Sequence, residues 1–251
     1  MYSALLVIIY LAFISLGLPD TLLGSAWPQM HIELNASLSS AGIITMIISM
    51  GTVISSLFSD RLNIKLGTGK VTAISVLMTA VALLGFSLSH SFIILCVLAV
   101  PYGLGAGAVD AALNNYVALH YSSKHMSWLH CFWGVGASIG PYIIGTCMAY
   151  GLGWRGGYSV ISVLQFTLTA ALFITLPLWK KVENSENNVI NGNNERTQEE
   201  PQERKAKSLS EVLHIKGVIY ILFAFFCYSA VEQTTTLWCA SYLVLNRSID
   251  S

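Results

Sequence analysis

The sequence predicts an all-α polytopic membrane protein, and three observations carry that expectation. Of the 251 residues, 54% are hydrophobic and only 10% charged, with a mean hydropathy of +0.63. Soluble domains carry about 25% charged residues, so an ordinary globular enzyme is excluded. The thirteen Lys and Arg and thirteen Asp and Glu are also uneven, half of them lying between Lys180 and Glu211. Finally, seven stretches reach the roughly 20 apolar residues that a helix needs to cross hydrocarbon, where backbone amides must pair internally. Barrel strands would instead run about 10 residues with alternating polarity.

The spans fall near residues 2–24, 38–58, 70–88, 92–119, 128–150, 157–179 and 214–244. The first lacks a basic leader and a small-residue cleavage site, so it reads as a retained span. Spans one to six form an N-terminal unit over 1–179. Residues 180–213 form a polar linker, rich in Asn, Glu, Gln, Lys and Ser, that cannot bury a core and reads as a mobile tether. The seventh span, 214–244, is followed by a tail at 245–251. All five cysteines fall inside spans without metal-like spacing and read as reduced packing residues.

Orientation follows from the basic residues, which accumulate on the cytoplasmic side. Even-numbered loops and their flanks hold eleven Lys and Arg, from Arg61 to Lys216, whereas odd-numbered loops and the tail hold Arg155 and Arg247. The N-terminus and the linker are therefore expected in the cytoplasm and the tail outside. A net charge of zero gives no reason to expect nucleic acid as a partner.

Three acids sit where charges are expensive: Asp20 in span one, Asp110 in span four and Glu232 in span seven. A carboxylate inside a span costs several kcal/mol and is rare unless it faces a cavity or a proton path. No Lys or Arg within the spans offers a partner, so proton uptake is the available way to lower that cost. The acids recur in every third helix. Aligned on the acid, Gly17, Asp20 and Leu23 match Gly107, Asp110 and Leu113, which suggests a three-helix repeat with a site at its interface.

Gly103, Gly107, Asp110 and Asn114 share one helical face of span four. Either the glycines leave room there for a ligand or they permit close helix packing. Asn114, with Asn115 beside it, offers donors and acceptors. Pro19 removes a backbone hydrogen bond just before Asp20, so a bend is expected there. In span five, His130 could titrate or bond a hydroxylated ligand, or serve a structural role, and Trp133 stands close to it. In span seven, Glu232, Gln233 and Trp238 combine polar groups with an aromatic face, a mixture that suits sugars. Trp238 also fits an ordinary packing or interfacial role.

At these residues the chain resembles the major facilitator superfamily, and within it the fucose permease-like sugar–proton symporters. The matching elements are Pro19-Asp20-Thr21-Leu22-Leu23 with Trp27-Pro28-Gln29, and Gly105-Ala106-Gly107 through Asp110 to Asn114. The resemblance implies a proton-coupling role for Asp20 and Asp110 and a substrate-binding role for Asn114. It also likens Ser59-Asp60-Arg61-Leu62 to the signature loop between spans two and three, with Asp60 and Arg61 as a cytoplasmic gate. Fold and topology would then be a six-helix N-terminal bundle plus the first helix of a second bundle, with the chain an incomplete form of a twelve-span design. Its place would be the plasma membrane, its partners the bilayer, a sugar-like substrate and a missing C-terminal half, and its coupling ion a proton, with no other cofactor.

Other readings stay open at this point. Gly136 to Gly145 partly resembles the span-five motif of drug–proton antiporters. A seven-helix receptor or light-driven protein shares the span count, but a retinal protein needs a lysine in its last helix, and Lys216 lies at its cytoplasmic start. A non-transporting membrane subunit is a third possibility. No phosphate loop, metal-ligand cluster or nucleophile with a plausible triad points to an enzyme.

Overall fold

The computed structural model describes residues 2–194, 211 and 213–247, and among these the chain is all-helical. The helices are α1 (Tyr2–Asp20), α2 (Leu22–Glu33), α3 (Ser40–Leu66), α4 (Thr68–Leu88), α5 (Phe92–His120), α6 (Ser123–Ala149), α7 (Gly153–Asn194) and α8 (Val218–Arg247). Because α1 and α2 are interrupted only at Thr21, they act as a single span from Leu5 to Glu33. Seven helices are thus long and apolar enough to cross a membrane.

Three boundaries differ from those expected of the sequence. Span one continues beyond residue 24, through Trp27 and Pro28, to Glu33, because a proline breaks one hydrogen bond without ending the apolar pattern. That extension places Asp20 near the middle of the 29-residue span. Span two runs on to Leu66, so Asp60 and Arg61 lie on the last turns of α3 and not in a loop. Gly67 alone joins α3 to α4, and its φ of 81° is the left-handed conformation that glycine adopts at no steric cost. The third difference is that α7 continues to Asn194, inside the segment expected to be linker. Lys, Glu and Asn do not forbid helix, so loss of hydropathy there ends the span and not the helix. The rest of that linker, apart from Glu211 and residue 213, lies outside the described residues, as does the end of the tail.

Helix pairing follows a two-fold pattern. The most extensive contacts are α3 with α5, α4 with α7, α1 with α6, and α4 with α5. In span numbers these are 2 with 4, 3 with 6, 1 with 5, and 3 with 4. Exchanging spans 1, 2 and 3 for 4, 5 and 6 converts the 1–5 crossing into the 4–2 crossing and leaves the 3–6 crossing in place. This is the arrangement that a repeated three-helix unit produces.

Glycines make both equivalent crossings possible, since lipid offers no hydrophobic drive and helices associate there through close packing. A Cβ on Gly17 would lie 2.1 Å from the Trp133 carbonyl oxygen, and one on Gly136 would lie 2.1 Å from that of Ile14. At the other crossing, a Cβ on Gly103 would lie 2.3 Å from the Ile48 oxygen and one on Gly107 2.5 Å from the Thr52 oxygen. The core between helices holds Leu5, Ile9, Phe13, Trp27, Trp154 and Tyr158, all essentially buried. Within it, Gln165 on α7 donates from Nε2 to the Ser15 carbonyl at 2.7 Å and accepts from Thr79 Oγ1 at 3.4 Å, tying three spans together.

Span seven stands apart. α8 touches the bundle chiefly through α2, where Gly24 admits the backbone of Thr236, and its buried side chains are Leu237 and Ser241. Of the cysteines, Cys147 is buried and Cys96 half-buried, whereas Cys131, Cys227 and Cys239 are exposed, so packing does not account for those three.

Candidate functional site

A cavity of about 750 Å³ lies between the six-helix bundle and α8. That volume falls within the range of roughly 300–1,000 Å³ usual for small-molecule sites. Its wall is built from residues of all seven spans. Asp20, Asp110, His130, Trp133, Glu232 and Gln233 all line it. Three carboxyl groups, each near the middle of its own span, therefore open on one space. Among the described lining residues there is no Lys or Arg.

Asp20 sits at the break between α1 and α2, with both carboxylate oxygens engaged. Tyr102 on α5 donates its hydroxyl to Oδ1 at 3.2 Å, and the Trp133 indole on α6 donates to Oδ2 at 2.9 Å. One acid thereby links spans one, four and five. Asp110 is held differently, accepting from Asn114 Nδ2 at 3.0 Å within its own helix. Glu232 accepts from Tyr228 one turn earlier on α8, at 3.2 Å. His130 meets the ring of Phe13 edge-on at 6.2 Å between centroids.

Three of the expected substrate-binding residues are placed elsewhere. Asn114 does not line the cavity; it lies one turn beyond Asp110, and its Oδ1 is buried without a partner. Asn115 is exposed outside the cavity, and Trp238 packs against the hydrophobic core. Asp60 and Arg61, expected as a cytoplasmic gate and not as cavity lining, are exposed on the last turns of α3. Of the two readings of the face shared by Gly103 and Gly107, the structure favours packing. Both glycines are filled by the α3 backbone, so they serve packing and leave no room for a ligand.

The cavity face of α5 is instead Tyr102, Ala106 and Asp110, a stripe at four-residue spacing. Tyr102 was hidden in the sequence because a tyrosine in an apolar run looks like packing, although its spacing from Asp110 was a usable signal. Thr45, Ser49 and Thr52 of α3 add a polar strip beside that face, and Phe86 and Tyr158 add aromatic surface. The result is a chamber with hydroxyl, carboxylate and indole groups set among aromatic faces. Such a lining can hydrogen-bond a polyhydroxylated molecule and stack on its C–H faces. Among the described residues no group of three or more His, Cys, Asp or Glu is placed to hold a metal ion.

At the opposite end of span one, Glu33 is bonded by the Trp154 indole at 3.0 Å and paired with Arg155. Arg155 also donates to the Ser89 carbonyl at 3.2 Å and lies 4.2 Å from the Trp154 ring centroid. This cluster ties the ends of spans one, three and six.

Comparison with known proteins gives a consistent family. The Major Facilitator Superfamily profile matches residues 9–249. An uncharacterized transporter, y4wD, of Sinorhizobium fredii is 25% identical over 116 residues, covering 45% of this chain and 31% of that protein. Synaptic vesicle glycoprotein 2B of Rattus norvegicus is 24% identical over 178 residues, covering 68% of this chain and 26% of that protein. The same protein of Mus musculus is 25% identical over 175 residues, covering 67% and 26%. The matched stretches span less than a third of the length of these curated relatives.

Proposed function

The chain belongs to the Major Facilitator Superfamily, a family of membrane transporters, and from that premise we propose that it serves proton-coupled symport of a sugar or related polyol by alternating access. The observation that carries the proposal is the cavity that gathers Asp20, Asp110 and Glu232 from every third span and contains no fixed positive charge among its described lining residues. The local pattern around Asp20 and Asp110 supports placing it with the fucose permease-like symporters. Site of action would be the plasma membrane, and a second helical half, beginning with α8, would complete the cavity wall.

The bonds at Asp20 support proton coupling. As a carboxylate it accepts from both Tyr102 and Trp133, which holds spans one, four and five together. A proton on Asp20 converts one acceptor oxygen into a donor, and the displaced tyrosine or indole becomes available to a substrate hydroxyl. Three acids in one cavity also repel when all are ionised, so proton uptake eases closure around a neutral sugar. Asp110 then offers its second oxygen to the substrate, while Trp133, Phe86 and Tyr158 supply ring faces.

The test is uptake of labelled sugars by the full-length protein in liposomes under an inward proton gradient, preceded by a stabilisation screen across hexoses, pentoses and polyols. Uptake of one sugar class, lost when the gradient is collapsed and in D20N and D110N, is the expected result. Gradient-driven uptake that survives both substitutions would defeat the coupling proposal. Stabilisation by lipophilic cations and by no polyol would replace symport with efflux.

A further inference from the structure

A second cavity, of about 310 Å³, lies at the end of the bundle that the basic residues place in the cytoplasm, away from the central chamber. Its wall is the turn from α3 to α4 and the end of span six: Gly67, Gly69, Lys70, Pro177 and Trp179, with Leu66 at its edge. The helix α4 begins here, and its N-cap is Gly67, which has no side chain to satisfy the first turn. The first bond of that helix runs from the Val71 N–H to the Gly67 carbonyl at 3.1 Å, which leaves the N–H groups of Thr68, Gly69 and Lys70 ahead of the ladder. Such a terminus carries a partial positive charge and favours an anion.

An independent feature points to the same ligand. Trp179 is 2% exposed, and its indole Nε1 is buried without a hydrogen-bond partner. Its ring lies directly over the first turn of α4. A Cβ on Gly69 would meet Trp179 Cγ at 2.6 Å and Cδ1, the atom bonded to Nε1, at 3.0 Å. The glycine therefore lets the indole pack against the first turn of α4, and Trp179 lines the groove there. A buried donor left unpaired is destabilising, so an acceptor arriving at this groove is favoured. Lys70 stands exposed at the rim and brings a full positive charge to the same place.

The depth identifies the source of the acceptor. Leu66 ends span two, Thr68 starts span three and Trp179 ends span six, so the groove sits at the level where a transmembrane helix leaves hydrocarbon for headgroups. We propose that the groove formed by the first turn of α4, Lys70 and Trp179 binds the phosphate of an anionic phospholipid from the inner leaflet. The phosphate oxygens accept from the free backbone N–H groups, the Trp179 indole and the Lys70 ammonium. Acyl chains leave along Leu66 and Leu176, which line the same groove on its apolar side.

The experiment uses the full chain purified in detergent and follows thermal unfolding while dioctanoyl-phosphatidylglycerol, dioctanoyl-phosphatidylcholine or inorganic phosphate is added. The anionic lipid should stabilise the protein at lower concentration than the zwitterionic one. In K70Q its apparent affinity should fall about fivefold, the effect of one basic group at an anionic surface. Trp179→Phe removes the N–H together with the five-membered ring, so its unliganded stability should fall, and it too should narrow the difference in stabilisation between the anionic and the zwitterionic lipid within the same variant. Native mass spectrometry of the same three proteins, counting retained phosphatidylglycerol, gives a readout that does not depend on unfolding. Equal response to the two lipids, or unchanged affinity in both variants, would overturn the proposal. An equal response to inorganic phosphate alone would overturn the assignment to lipid.

Discussion

The glycine at position 17 offers the sharpest test of how the helix crossings hold the central cavity. In Gly17→Ala the new Cβ would lie 2.1 Å from the Trp133 carbonyl oxygen and 2.9 Å from the Ala137 nitrogen, both backbone atoms that no rotamer change can move. Restoring an ordinary contact of 3.4 Å requires α1 and α6 to separate by about 1.3 Å. Overpacking of this kind costs about 1–3 kcal/mol. The same movement acts on Asp20, one turn along, whose bond from Trp133 Nε1 measures 2.9 Å and would open beyond hydrogen-bond reach. Loss of a charged hydrogen bond costs about 1.5–3 kcal/mol, and water in the cavity keeps this one toward the lower end. The sum is roughly 2–5 kcal/mol, which at about 2–4 °C per kcal/mol lowers the melting temperature by roughly 5–15 °C. Thermal unfolding in detergent, followed by a thiol-reactive dye, measures it. Gly145→Ala on α6 is the control, since nothing lies within 4 Å of its Cβ position, and it should be neutral or mildly stabilising. A Gly17→Ala protein that melts within about 2 °C of that control would refute the crossing argument.

Trp133→Phe keeps an aromatic face in the cavity but removes the indole donor to Asp20, so its melting temperature should fall by about 3–6 °C while the pH dependence of ligand stabilisation shifts. Tyr102→Phe should do the same through the other carboxylate oxygen, and unchanged pH dependence in both would detach these residues from proton coupling. Gln165→Leu leaves the Thr79 hydroxyl with its bond to the Val76 carbonyl but strips the Ser15 carbonyl of its donor, at a cost of about 1–3 kcal/mol, to be read as a lower melting temperature. Arg155→Ala breaks a partly exposed pair with Glu33, so its effect should stay near 1 kcal/mol or below and shrink in high salt, measured by unfolding at two ionic strengths.

What the sequence made legible was set by what the bilayer punishes. Seven spans were visible because hydrocarbon requires an unbroken apolar run, and three acids were visible because hydrocarbon penalises charge. Helix ends escaped, since a helix does not stop where hydropathy stops: α3 carries Asp60 and Arg61 on its last turns, and α7 runs to Asn194. Tyr102 escaped for the reverse reason, being as acceptable to packing as to the cavity. Gly103 and Gly107 share a face with Asp110 on an ideal helical wheel, yet the wheel does not say which neighbour fills that face. Only the position of Ile48 and Thr52 on α3 decides it.

The repeat explains why two equivalent acids are held so differently. Gly17 and Gly107, each three residues before its acid, both seat a neighbouring helix, so the acids occupy corresponding places in the two three-helix units. Their surroundings then diverge at one residue. Pro19 precedes Asp20 and the helix breaks there, which turns the carboxylate outward to accept from two other spans. Val109 precedes Asp110, the helix stays continuous, and the carboxylate is satisfied by Asn114 on its own helix. A group bonded across three spans changes helix geometry when its protonation changes, whereas a group bonded along its own helix does not. On the proposed reading the division of labour follows: Asp20 transmits the proton to the bundle, and Asp110, with one oxygen uncommitted, meets the substrate. Exchanging the preceding residues tests it, because Pro19→Val should straighten span one, weaken the bonds from Tyr102 and Trp133, and uncouple sugar binding from pH without abolishing binding. Persistence of the parent pH dependence in Pro19→Val would show that the break in span one is not what gives Asp20 its role.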